Sequence, residues 1–190
     1  ATSKHLRNAY LHSDPPHIDS AYIKKEIAFL KNGRHKTLRQ RKDIENKLVG
    51  DVMGTKKLDN MVDLIFFCSK ARVGLDAKNF INFNTLLKSN STAVSARMLH
   101  RILYGLGSTT SDSPLVRQYL ATINDTVIAR NERKVKIRDP IGMSMSFWGL
   151  KQMSSEHAEV VSLLEKLLMM MKTLSKPFDA QAIGNALYGL

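Results

Sequence analysis

The chain has 190 residues, 43% of them hydrophobic, and carries 29 Lys and Arg against 17 Asp and Glu, for a formal net charge of +12 and a pI near 9.9. That excess favours a polyanionic partner. No apolar run reaches about 18 residues, because Asp63 interrupts the first and Glu165 and Lys166 the last, so no membrane span is expected. Cys68 is the single cysteine; it cannot form an internal disulfide, and it reads as a small buried side chain in a reducing compartment.

Residues 1–19 contain Pro15-Pro16, three histidines and several Ser and Thr without a helical apolar stripe, and are expected to be an extended tail. The chain starts at Ala1 rather than methionine, and the segment partly matches the Arg- and Ser-rich composition of transit peptides. The expectation is a mature end left by import into an organelle, the mitochondrion favoured over the plastid.

Residues 20–190 read as one helical-repeat domain. Ile23, Ile27 and Leu30 follow the i, i+4, i+7 pattern of a buried helix face, and Asn32-Gly33 looks like its stop. Met61, Ile65 and Cys68 repeat that pattern, with a stop expected at Val73-Gly74. Three clearer copies follow, ending in Tyr104-Gly105-Leu106, Trp148-Gly149-Leu150 and Tyr188-Gly189-Leu190; their preceding apolar residues are Leu99 and Leu103, Met143 and Phe147, and Ile183 and Leu187. The anchors Leu30, Cys68, Leu106, Leu150 and Leu190 are spaced 38, 38, 44 and 40 residues apart. A period of about 40 residues is that of a stacked α-solenoid.

Second helices are expected after the anchors, with apolar faces at Leu115, Val116, Tyr119 and Leu120, and at Val160, Leu163, Leu164 and Leu167. Ser113-Pro114 and Asp139-Pro140 are start signals, and Ser154-Ser155-Glu156 is expected to open a helix with Glu156 and Glu159 in its first turn. The fold class is therefore all-α, an α-solenoid of five helix pairs or partial pairs, the last of them truncated, with no confident strand. Gly105, Gly149 and Gly189 lie inside helical stretches, where glycine costs about 1 kcal/mol relative to alanine. Close approach of a neighbouring helix is the simplest compensation, and it predicts that Gly149→Leu is damaging and that Gly149→Ala has a smaller effect, of either sign.

Two basic clusters stand out: Arg34, Lys36, Arg39, Arg41 and Lys42, and Arg130, Arg133, Lys134, Lys136 and Arg138, the second within the longest unit. Each can be a solvated helix face or a set of phosphate contacts, which give affinity without sequence selectivity. A mainly cationic insertion is hard to explain by packing. A third, weaker candidate set comes from positions nine, five and two before each anchor, which share one helix face. Arg97, Arg101 and Tyr104, then Ile141, Met145 and Trp148, then Gln181, Asn185 and Tyr188 occupy them, after Asp59, Asp63 and Phe66. An aromatic beside a variable residue is how one-base-per-repeat proteins read unpaired bases. Packing between repeats is the simpler role for Tyr104, Trp148 and Tyr188.

Catalytic signals are lacking. Ser144 and Ser146 lie outside a Gly-x-Ser-x-Gly elbow, the six histidines have no metal spacing, and Gly-rich phosphate loops are absent, so neither enzyme activity nor a cofactor or metal is expected. Met169-Met170-Met171 continues a leucine-rich helix and reads as adaptable core filling.

The Leu-Tyr-Gly-Leu or Phe-Trp-Gly-Leu ending, followed by a Ser-rich turn and Leu-Val-x-x-Tyr-Leu or Glu-Val-x-x-Leu-Leu, resembles the organellar α-solenoid proteins of the octotricopeptide and pentatricopeptide kind found in algae and protists. The resemblance is architectural and covers residues 58–190, and more weakly 20–57. It implies paired helices, RNA binding, and work in organellar RNA processing or as a component of a mitochondrial ribosome. The alternative expectation is a protein–protein scaffold of a large organellar complex.

Overall fold

A computed structural model describes residues 17–33 and 37–189. The expected tail lies almost wholly outside the described residues. The described chain is helical, with no strand among the described residues, and none of its helices is long and apolar enough to cross a membrane.

The helices fall into two rows. The first row is α1 (Ser20–Asn32), α3 (Leu58–Ala71), α5 (Ala96–Gly105), α8 (Pro140–Gly149) and α10 (Ala180–Tyr188), each packed against the next in that order. The second row is α2 (Leu38–Gly54), α4 (Asn79–Ser89), α6 (Pro114–Thr122) running through a π segment (Ile123–Ile128) into α7 (Ala129–Val135), and α9 (Ala158–Met171). The core is the ribbon between the rows. Ile23, Met61, Ile65, Leu99, Leu103, Met143 and Phe147 supply it from the first row and Val52, Phe80, Tyr119, Leu120 and Leu163 from the second, all at most 2% exposed.

Helix boundaries follow local chemistry. Asp19, Ser95, Asp139 and Asp179 accept from the backbone N–H three residues on, and Thr37 with Gln40 forms a reciprocal capping box at α2. Proline is the first helical residue of α6 and α8, as the sequence indicates, although Ser113 makes no side-chain cap. Two boundaries differ from expectation. Helix α3 ends at Ala71, and the left-handed residue that closes it is Arg72 (φ 58°, ψ 37°) rather than Gly74. Helix α9 starts at Ala158, leaving Glu156 outside it and only Glu159 in its first turn, because Ser155–Glu156 form a turn in which Ser154 Oγ accepts from Glu156 N.

The three glycines of the aromatic-Gly-Leu endings do one job. A Cβ on Gly105 would strike Ile65 and its backbone; on Gly149 it would strike the Leu103 carbonyl and come within 2.7 Å of Tyr104 Cα; on Gly189 it would strike the Phe147 carbonyl and come within 2.6 Å of Trp148 N. Ile65, Leu103 and Phe147 each stand three residues before the preceding anchor, so the same contact recurs at three successive joins. At Gly105 the nearest atom is the Ile65 side-chain methyl Cγ2, whereas at Gly149 and Gly189 the partner atoms are backbone, which cannot step aside, so alanine at Gly149 is itself a clash. The sign that the sequence left open for Gly149→Ala is therefore destabilising. At the α1–α3 join the corresponding residue is Phe67, whose ring lies 4.8 Å below Lys24 Nζ.

The apolar stripe is buried in α1, α3, α5 and α8 but not in α10. There Ile183 and Leu187 are 47% and 69% exposed, while Ala182, Ala186 and Gly189 face α8. In α3, α5 and α8 the stripe is covered by the next first-row helix; among the described residues none lies beyond α10. Of the three consecutive methionines Met170 is buried, Met171 is half-buried against the core and Met169 is 66% exposed, so core filling describes two residues in that run.

Candidate nucleic-acid interface

The first basic cluster begins outside the described residues, where Arg34 and Lys36 lie. Arg39, Arg41 and Lys42 occupy the first turns of α2 and are exposed. The second cluster sits on an irregular segment that the sequence did not announce. After α6 the chain widens into the π segment, where Asn124 donates to Ser162 Oγ (2.6 Å) and its carbonyl accepts from Lys166 Nζ (3.2 Å). It then kinks at Asn131 (φ −131°, ψ 30°), whose side-chain amide donates to the Ser91 and Val127 carbonyls.

Packing therefore accounts for part of this cationic segment. Val135 and Ile137 are buried and alternate with Lys134, Lys136 and Arg138. Lys134 Nζ donates to the Thr92 carbonyl, tying α7 to the turn after α4, and Lys136 is half-buried beside Lys166 in a cleft of about 360 Å³ that also contains Met169. Arg130, Arg133 and Arg138 remain as exposed cations.

The weaker, base-reading set resolves differently. Arg101 Nη1 pairs with Asp63 Oδ1 at 2.6 Å, with both side chains under 20% exposed, and its guanidinium lies 4.4 Å above Phe66 and 5.5 Å from Phe67. Arg101 is thus engaged within the fold. Tyr104 contacts Phe66 (5.2 Å between ring centres) and stacks on Trp148 (4.7 Å, 17° between planes). Trp148 also rests on Gly107, where a Cβ would come within 2.6 Å of the indole, and its free face is covered by Lys151 Nζ at 3.6 Å. Tyr104 and Trp148 thus pack against each other between neighbouring helices. Tyr188 is 68% exposed, Arg97 and Gln181 are exposed, and Asn185 is half-buried.

Two residues that the sequence did not single out complete this region. Arg72 and Lys151 lie where the C-terminal ends of α3 and α8 come together with Gly107, Ser108 and Tyr188, around a cleft of about 370 Å³. Burial and the nearby Arg72 guanidinium push the Lys151 ammonium below its ordinary pKa. The only signal in sequence was that each follows an apolar helix closely, a common site for a cation drawn to the negative helix end.

Across the described residues, Arg101–Asp63 is the one Lys or Arg side chain paired with a carboxylate within 4.0 Å. Cys68 is buried, and burial pushes its thiol up to about 12, which leaves it unreactive near neutral pH. Ser144 and Ser146 donate back to the Ile141 and Gly142 carbonyls within α8, so neither hydroxyl is presented as a nucleophile. No family model, curated protein or solved structure matches this chain.

Proposed function

We propose that this chain is a non-catalytic helical-repeat protein that binds RNA, as a component of an organellar ribosome or RNA-processing complex, the mitochondrion being the favoured compartment. The fold reading within this proposal is an α-solenoid of helix pairs with a period of 38–44 residues. The recurrence of a close glycine contact at three joins, with the residue three before the preceding anchor, supports it, since stacked repeats reuse their interface.

The observation that carries the RNA reading is the state of the charges. A chain at +12 whose cations are, with one exception among the described residues, unpaired by carboxylates keeps a positive surface that only external anions neutralise. Phosphates do so with release of counterions, which makes affinity salt-dependent. Arg130, Arg133 and Arg138, exposed and outside the packed stripe, are the strongest phosphate ligands in this reading, with Arg39, Arg41 and Lys42 as a second patch.

The test is an electrophoretic mobility shift of single-stranded and structured RNA at two salt concentrations, on the wild type and on Arg130→Gln/Arg133→Gln/Arg138→Gln. The expected result is weaker binding to all sequences alike, with the salt slope reduced by about 0.7 for each single-strand phosphate that the variant no longer neutralises. Wild-type RNA affinity that is absent, or indifferent to salt, overturns the reading. A protein scaffold is the second reading, favoured by the uncovered Ile183 and Leu187 on α10; there, removing the cations leaves a partner protein bound.

A further inference from the structure

The cleft at the ends of the first-row helices gathers cations that no carboxylate neutralises, although Lys151 also rests on the Trp148 ring. Arg72 is exposed and Lys151 half-buried on its wall, near enough to each other that the guanidinium disfavours the ammonium, and no carboxylate among the described residues lies within 4.0 Å of either. Arg72 holds a left-handed backbone (φ 58°) at a position where glycine is the unstrained residue. Ser108 lines the same cleft with a buried hydroxyl that has no hydrogen-bond partner. One ring, that of Tyr188, borders the opening and is 68% exposed, with Lys151 Nζ 5.5 Å from its centre. Two like charges, an unsatisfied hydroxyl and an open aromatic face around one cavity are complementary to an anion attached to a flat ring.

We propose that this cleft is a nucleotide subsite: Arg72 and Lys151 clasp one backbone phosphate of single-stranded RNA, and the adjoining base stacks on the open face of Tyr188. The inference rests on the RNA-binding reading and adds a place and a strand state to it. The guanidinium gives two parallel N–H donors to phosphate oxygens, and Lys151 adds a point charge. Stacking on an aromatic side chain tolerates any base, so the subsite selects unpaired RNA over duplex and does not select sequence. Tyr104 and Trp148 are stacked on each other, which holds the floor of the cleft rigid while leaving Tyr188 as the available ring.

Trp148 is the only tryptophan in the chain, and Lys151 sits directly on it, so its fluorescence reports on the cleft. The experiment titrates a short oligouridylate, an RNA duplex and inorganic phosphate into the wild type, Arg72→Gly/Lys151→Gln, Tyr188→Ala and Tyr188→Phe, following Trp148 emission and, in parallel, a mobility shift. Arg72→Gly suits the left-handed backbone, and Tyr188 is exposed, so these variants keep the fold. Expected are a saturable emission change with the oligouridylate and little with duplex. The double variant should bind at least tenfold more weakly, with a salt slope lower by about 0.7, the value for one single-strand phosphate. Tyr188→Ala should lose roughly 5- to 100-fold and Tyr188→Phe almost nothing. An RNA shift that persists without any change at Trp148, and with wild-type affinity in the double variant, overturns the subsite and leaves the RNA reading standing. Equal response to inorganic phosphate and oligouridylate overturns the stacking element, and no RNA shift at all overturns both.

Discussion

Along the first row of helices, α5, α8 and α10 meet backbone against backbone, and α3 meets α5 through Gly105 against Ile65; along the second row, α2, α4, α6–α7 and α9 meet through side chains, capping bonds and a π segment. Glu45 of α2 illustrates the second style, its carboxylate accepting from Asp76 N and Asn79 Nδ2 at the start of α4. A join made of backbone has one permitted geometry, because a carbonyl cannot change rotamer. A join made of side chains can absorb a longer unit, a kink at Asn131 and a row of exposed cations. The contrast places rigidity on one side of the molecule and variation, including most of the candidate phosphate ligands, on the other.

The sharpest way to break this contrast is at Gly149. Gly149→Ala puts a methyl group into the Leu103 carbonyl, and a loss of about 3 kcal/mol is expected, at the upper end of ordinary overpacking. Gly184→Ala, in the same row but with nothing within 4 Å of its Cβ, should instead gain about 0.5–1 kcal/mol from helix propensity, as should Gly50→Ala in α2. Urea denaturation of the three variants distinguishes them. If Gly149→Ala and Gly184→Ala move the midpoint alike, the backbone join is not where the first row gets its rigidity.

A smaller effect is expected at Arg101, where the first row has its one ion pair among the described residues. The guanidinium is held by Asp63 and by the faces of Phe66 and Phe67, and all of these interactions disappear together in Arg101→Ala, at about 1–2 kcal/mol given the partial burial of the pair. Arg101→Lys should recover only part of this, because an ammonium cannot lie flat on the ring while pairing with Asp63. Complete rescue by lysine in thermal unfolding would mean that charge alone matters there.

The two styles of join also explain what was legible in the sequence. A backbone join demands glycine at a fixed register, so Gly105, Gly149 and Gly189, with the stripe at Leu99, Leu103, Met143 and Phe147, announced the first row directly. The all-α class followed from the same periodicity. Helix ends held by side chains leave weaker traces: the capping box at Thr37 and Gln40 is a short motif in a charged stretch, and neither the π segment nor the kink at Asn131 has a propensity signature. The candidate site was only half visible. Clusters in sequence, such as Arg130 to Arg138, can be counted, whereas Arg72, Ser108, Lys151 and Tyr188 are brought together only by stacking of the helices. The contacts of Arg101 and Trp148 were hidden for the same reason, since their partners Asp63 and Tyr104 come from the preceding first-row helix.

On the second row the comparison can be sharpened at Tyr119. This ring is fully buried edge-on against Phe80, 5.3 Å between centres, and its hydroxyl has no hydrogen-bond partner. Burial pushes the phenol far above its ordinary pKa, so it stays neutral at all ordinary pH. Tyr119→Phe removes an unsatisfied polar atom without altering the ring, and a gain of up to about 1 kcal/mol is expected in chemical denaturation. A loss instead would mean that the hydroxyl has a buried water as partner, and that this row is better satisfied than side-chain contacts alone suggest.

The smallest expected effect tests the α5–α8 join with protons. His100 of α5 faces the start of α8; burial lowers its pKa, the nearby Asp139 carboxylate opposes that, and Arg101 and Arg97 add to it. A histidine whose folded pKa lies below its unfolded value of about 6.5 is neutral in the fold where the unfolded chain would already be protonated. Its contribution to stability is therefore constant above about pH 7 and declines as pH falls through about 6.5, levelling off below the folded pKa. His100→Gln, which is neutral at every pH, should flatten the stability profile between about pH 7 and pH 5 by a fraction of a kcal/mol relative to the wild type. Asp139→Asn should steepen the wild-type decline, because it removes the one nearby carboxylate that favours the imidazolium, though it keeps an oxygen for the Gly142 N–H that caps α8. A profile that His100→Gln leaves unchanged would mean that the imidazole reaches water when protonated, and that this join opens at its edge despite the fixed contact between Gly149 and Leu103 at its centre.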